Sequence, residues 1–194
     1  MYVDNATKTL FFHNPKTAGR SIVVGLGFAE DTHHKLVHFD PVNARRCIFQ
    51  DDWDRFFSFG FVRNPWDRLV SLYEYHRSVE YGVFQRMNDS HQMARRYDFD
   101  DWVCINMNAT KRKRSNWFGT PQTFWIEGVT AAYKFEEYDQ AFRDIALRMG
   151  KQMPAPYINK SSRSHYRNYY LKDATIEIVA NMDAHVISKF GYTF

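Results

Sequence analysis

Two aromatic-rich runs constrain this fold most: Leu10-Phe11-Phe12, and Phe56-Phe57-Ser58-Phe59-Gly60-Phe61-Val62. Each is nearly continuous in apolar residues, the pattern of a strand buried on both faces. Each also ends in a polar turn that leads into a helix. After the first run come Lys16, Thr17, Gly19 and Ser21, and Ile22-Val23-Val24 opens the next apolar segment. After the second comes Arg63-Asn64-Pro65-Trp66-Asp67. Asn64 suits an N-cap, Pro65 the first helical position, and Asp67 the positive first turn. The spacing of Trp66, Leu69, Val70, Leu72, Tyr73 and His76 predicts a helix to about Tyr81. Two buried strands that each feed a helix point to an α/β domain with a parallel sheet. Ligands of such sheets sit beyond the C-terminal strand ends, so both polar turns should open on one edge.

A strand, a small-residue loop and a helix start together make an anion site. Free backbone N–H groups and the positive end of the helix dipole meet there, and Lys16 adds a full charge. The loop is not a nucleotide P-loop of the form GxxxxGK[ST], because Lys16 precedes Gly19 and no glycine opens it. An ordinary turn with a solvated lysine is the plain alternative. Arg63, with Ser71 about two turns into the following helix, offers a second anion site through a guanidinium fork and a hydroxyl. Here the plain alternative is an Arg63–Asp67 pair and a Ser71 that caps local backbone. Two separated anion sites suit a ligand with phosphates at both ends.

With 194 residues, 44% hydrophobic and 25% charged, the chain fits one globular domain over 1–194. A formal charge of +4 favours anionic partners without pointing to nucleic acid. Cys47 and Cys104 lie far apart and form no metal motif, so a reducing, cytoplasmic setting is the simplest expectation. The polar N-terminus lacks a signal-peptide core, and no run reaches the roughly 20 apolar residues of a membrane helix. Further expectations are helical character over 85–103, a basic irregular stretch over 108–123, and a short strand at Ala132–Phe135. Amphipathic helices are expected from Tyr138 to Met149 and from Ala174 to Lys189, with a long loop over 150–168. Lys111-Arg112-Lys113-Arg114 reads first as a solvated loop. It also suits the edge of a site for an acidic glycan, or a nucleic-acid contact with Trp117 and Phe118 as stacking partners.

The blocks NPKTAGRS and FVRNPWDRLVSLYEYH resemble the two signature blocks of PAPS-dependent sulfotransferases, most closely the branch that includes carbohydrate sulfotransferases. YKFEEYDQAF, INKSSRSHYRNYY and the ending IVANMDAHVISKFGYTF extend the similarity over nearly the whole chain. The resemblance implies a P-loop-NTPase-like three-layer domain with a central, mainly parallel sheet flanked by helices. It implies that Lys16, Thr17, Ala18, Gly19, Arg20 and Ser21 bind the 5′-phosphosulfate end of PAPS. Arg63 and Ser71 would then bind the 3′-phosphate. A loop over the donor would carry Lys160, Ser161, Arg163 and Tyr166. The family more often has Gly where Ala18 stands, and Thr or Ser where Arg20 stands. Ala18 is expected to be harmless if its φ stays negative.

Sulfuryl transfer then rests on positioning and electrostatics, with PAPS as co-substrate, its bisphosphate as product and no metal expected. The acceptor would be a hydroxyl of a glycan or small molecule, with neither nucleic acid nor a membrane as partner. A general base should deprotonate that hydroxyl, and histidine has the right pKa. The family commonly places its base between the two blocks. His38, in LVHFDP, is the expected base, with His33 or His34 as substitutes, while His76 is expected to pack. Two alternatives stay open: a metal-dependent, P-loop-like small-molecule kinase, and a non-catalytic module for nucleotides or nucleic acid.

Overall fold

Both aromatic runs are neighbouring parallel strands in a computed structural model of the chain, which describes residues 1–28, 40–78, 89–110, 119–158 and 163–194. The strands are β1 (Tyr2–Asp4), β2 (Thr9–Phe12), β3 (Phe57–Val62) and β4 (Ala131–Lys134). The helices are α1 (Gly19–Leu26), α2 (Pro41–Ala44), α3 (Pro65–Ser78), α4 (Asp89–Arg96), α5 (Phe99–Thr110), α6 (Tyr138–Arg148), α7 (Asp173–Met182) and α8 (Ala184–Phe190). Two units result, Met1–Arg63 with Gln122–Lys160, and Asn64–Pro121 with Ser161–Phe194.

The first unit holds the sheet, in the order β1-β2-β3-β4. β2, β3 and β4 are parallel, and β1 adds an antiparallel edge that the sequence reading did not anticipate. Strand alternation divides the core in two. Phe11, Phe59 and Phe61 pack with α1 and α6 through Ile22, Leu26, Phe142 and Ile145. Leu10 and Phe12 face Ala44 and Trp53 on the other side. The result is an α/β unit of three layers, as expected. Each fully buried phenylalanine contributes about 1.5–3 kcal/mol through removal from water, and the Phe11 and Phe59 rings stack at 5.1 Å. The segment before β3, a π-turn at Arg45–Phe49 and a 3-10 turn at Gln50–Arg55, was not foreseen either. Gly60 interrupts the aromatic run for a packing reason. A Cβ there would stand 3.0 Å from Ile126 Cγ2 and 3.3 Å from the Trp125 carbonyl, so a 3-10 turn (Gln122–Trp125) lies directly on the strand.

The second unit is helical. Asn64 caps α3 as predicted, its Oδ1 accepting from the N–H groups of Trp66 (3.1 Å) and Asp67 (3.2 Å). Two expected helices are each broken in two. Asp98 separates α4 from α5 and caps α5, accepting from the Asp101 N–H at 2.9 Å. Asp183 separates α7 from α8, and its buried carboxylate meets the buried Arg68 guanidinium at 3.5 Å. Tyr170 donates to the Trp66 carbonyl (3.0 Å), and the Trp66 indole donates to the Ile176 carbonyl (3.1 Å). Burial, with Asp100 and Asp67 nearby, pushes the Tyr170 hydroxyl well above its ordinary pKa, so it stays protonated. His76 packs, as expected, with its ring centroid 4.7 Å from His91 and 5.8 Å from Trp102. Cys47 and Cys104 are both free thiols. No described helix is long and apolar enough to cross a membrane.

Candidate functional site

β2 ends at Phe12, and the phosphate-type loop follows at once. Its backbone is unusual. Lys16 has φ 70° and Ala18 has φ 63°, ψ 20°, both in the left-handed region. The condition under which Ala18 was expected to be harmless, a negative φ, is therefore not met. Thr17 between them is not in that region, so φ changes sign at each step. Alternation of this kind turns successive N–H groups toward one side, forming the concave anion-binding shape called a nest. The helix begins at Gly19, three residues earlier than the apolar pattern suggested, because Ala18 is its N-cap and accepts from the Ile22 N–H at 3.0 Å. No side chain caps this end. The first-turn N–H groups therefore have no partner within the helix and face the loop.

Side chains beneath the loop hold it. Thr17 is buried and its hydroxyl donates to the Asn14 carbonyl at 2.7 Å. Ser21 is also buried; its Oγ accepts from the Ile158 N–H at 2.9 Å. Both hydroxyls expected to meet a phosphate thus bond backbone groups, Thr17 within the loop and Ser21 in the segment that ends at Ile158. Gly19 leaves room for His13: a Cβ on Gly19 would stand 1.9 Å from His13 Nε2, so the ring would have to move. The imidazole lies against the helix start, with its ring 5.9 Å from Phe11. Arg20 is exposed.

Arg63, at the end of β3, comes to the same place. Its Nη1 donates to the Lys16 carbonyl at 3.1 Å, and its guanidinium stacks on Phe135 at 4.4 Å. Parallel pairing explains the meeting: Phe12 is in register with Gly60, so the residues after each strand leave the sheet at one edge. The backbone of Arg63 is gripped by Gln122, whose Oε1 accepts from its N–H (3.0 Å) and whose Nε2 donates to its carbonyl (2.9 Å). Gln122 also accepts from Asn14 Nδ2 at 2.9 Å. Neither Asn14 nor Gln122 was singled out in the sequence. An Asn before Pro15 is the only local hint, and Gln122 has none.

In the second unit, Ser71 is buried on α3. Asp67, the foreseen alternative partner of Arg63, is bonded to Arg163. Tyr166 lies in a 3-10 turn (Tyr166–Tyr169), edge-on to Phe194 at 5.8 Å. His33, His34, His38, Lys160, Ser161 and the run Lys111–Arg114 lie outside the described residues. Among the described residues no cluster of three or more His, Cys, Asp or Glu side chains is placed to hold a metal.

Set beside known proteins, residues 3–176 match a family model described as the sulfotransferase family. No curated protein and no solved structure gives a significant match.

Proposed function

The chain belongs to the sulfotransferase family, and from that premise we propose that it transfers a sulfuryl group from PAPS to a hydroxyl of a carbohydrate. One observation supports the donor site above all others. The Lys16 loop and Arg63 stand at one sheet edge, joined by the 3.1 Å bond from the Arg63 guanidinium to the Lys16 carbonyl.

PAPS brings an activated sulfuryl group on its 5′-phosphate. Lys16 and the N–H groups of residues 17–21 hold that phosphate and stabilise the charge that develops on the departing oxygen. Arg63 and Ser71 hold the 3′-phosphate and fix the register of the donor, while Arg20 adds charge at the rim. The acceptor oxygen attacks sulfur in line; the new S–O bond forms as the S–O bond to the 5′-phosphate breaks. The electron pair leaves with the phosphate, and the acceptor proton passes to His38. In this reading Lys160, Ser161 and Tyr166 belong to the donor loop, and Arg163 anchors it through Asp67.

Calorimetric titration with adenosine 3′,5′-bisphosphate in metal-free buffer tests the donor site. Lys16→Ala and Arg63→Ala should each weaken binding by about tenfold or more, since each removes a charge-assisted contact. Unchanged affinity in both variants defeats the reading. An obligate divalent cation with preference for ATP would indicate the kinase. Oligonucleotide binding with a steep salt dependence and no gain from the bisphosphate would indicate the nucleic-acid module. His38→Ala should lower turnover by about 10²–10⁴ while donor affinity holds. Full single-turnover rate in that variant removes His38 as the base.

A further inference from the structure

We propose that Gln122 is a positioning residue: a buried strut that fixes the spacing between the Lys16 loop and Arg63, and so makes the site selective for a ligand phosphorylated at both ends. The inference rests on the donor reading above, which it deepens.

The geometry is specific. Ladder pairing of β2 with β3 stops at Phe12 and Gly60. Past that point two side-chain amides take over. Asn14 Nδ2 donates to the Phe61 carbonyl at 3.0 Å and to Gln122 Oε1 at 2.9 Å. Gln122 then bonds both the N–H and the C=O of Arg63, at 3.0 and 2.9 Å. An amide that exchanges donor and acceptor with one backbone residue does what a paired strand residue does. Gln122 therefore extends the sheet by one rung, on Arg63 itself. Gln122 also bonds Asn14, which lies two residues before Lys16 and accepts the Thr17 hydroxyl through its carbonyl. One side chain is thus bonded to both blocks.

Both amides are fully buried, with 0% exposure. Buried hydrogen bonds of this kind leave no cheap alternative, because an unmade bond strands a desolvated donor or acceptor. The rung is therefore rigid. Rigidity matters only to a ligand that touches both blocks at once. For such a ligand the second contact is intramolecular, and its worth depends on correct spacing. A ligand with one phosphate uses one block and is indifferent to the spacing.

The test uses Gln122→Met, which keeps length and removes every polar atom. Affinities of wild type and variant are measured for adenosine 3′,5′-bisphosphate, adenosine 5′-phosphate and adenosine 3′-phosphate, with thermal melting in parallel. The bisphosphate should lose about tenfold, as a misplaced constellation does, while each monophosphate changes by less than about twofold, within the range of a contact left intact. Equal loss for all three ligands means general structural damage and overturns the proposal, as does no loss for any. If Gln122→Met does not fold, Gln122→Glu is read the same way, since it keeps the acceptor for Asn14 and loses the donor to Arg63. A wild-type protein that binds the bisphosphate no more tightly than the monophosphates overturns the donor reading and the strut with it, and is seen before any variant is compared.

Discussion

Replacement of Ala18 by glycine should make the protein more stable, because Ala18 sits in the left-handed region at the helix N-cap. Ala18 is held at φ 63°, ψ 20°. An L-residue there brings its Cβ close to backbone oxygen and costs about 1–2 kcal/mol. Glycine removes that cost but frees the unfolded chain by about 0.4–1 kcal/mol. The difference is a net stabilisation of about 0–1.6 kcal/mol, centred near 0.8 kcal/mol. At about 2–4 °C per kcal/mol for a chain of this size, the melting temperature should rise by about 1–4 °C. Urea unfolding of wild type and Ala18→Gly, with equal m-values, measures it. Ala18→Val is the opposing control and should destabilise, because a β-branched residue tolerates positive φ worst. If Ala18→Gly instead lowers stability by about 1 kcal/mol, as glycine does in an ordinary helix interior, then φ is negative, the nest does not exist, and the anion site loses its backbone basis.

Two further outcomes follow from the second unit. Asp183→Ala should cost about 3–5 kcal/mol in chemical denaturation, because it strands the fully buried Arg68 guanidinium without its carboxylate; a loss under about 1 kcal/mol would show that the pair is not buried as described. His91 is held below its ordinary pKa of 6.5, first by burial and then by Arg95. The unfolded chain therefore binds this proton more readily, so the stability from neutral His91 is full above pH 6.5 and is lost as pH falls from there through the folded-state pKa. Thermal melts of wild type should fall more steeply across that window than those of His91→Gln; identical slopes would refute the linkage.

How much of this was legible in the sequence depends on the range of the forces involved. β2 and β3 were readable because burial on both faces leaves an apolar run, and the α3 cap because Asn64-Pro65 is a local signal. The shared edge followed from parallel pairing alone. β1 left no such trace: its three residues are only half-buried, so hydrophobicity does not mark them. The α7–α8 break was hidden because Asp183 in a helical pattern looks like a solvated residue, and only its partner Arg68 shows why it is buried. Gln122 is the extreme case. Its partners lie 59 and 108 positions away, and nothing in a local window distinguishes it from a surface glutamine.

The loop itself shows why local rules fail where distant contacts set the backbone. Positive φ at Lys16 and at Ala18 is locally unfavourable, and propensity would place neither residue there. Such strain persists only if its surroundings over-determine it. Here they do so from three directions. The Thr17 hydroxyl ties the middle of the loop to the Asn14 carbonyl. Ser21 ties the first helical turn to Ile158. The His13 ring occupies the space that any side chain on Gly19 would need. The Thr17 and Ser21 hydroxyls that look like ligands in the sequence therefore act on backbone, and the backbone N–H groups they aim are what an incoming phosphate would meet. Fixed N–H groups of this kind would set an anion's position before it arrives, which a lysine side chain alone does not do.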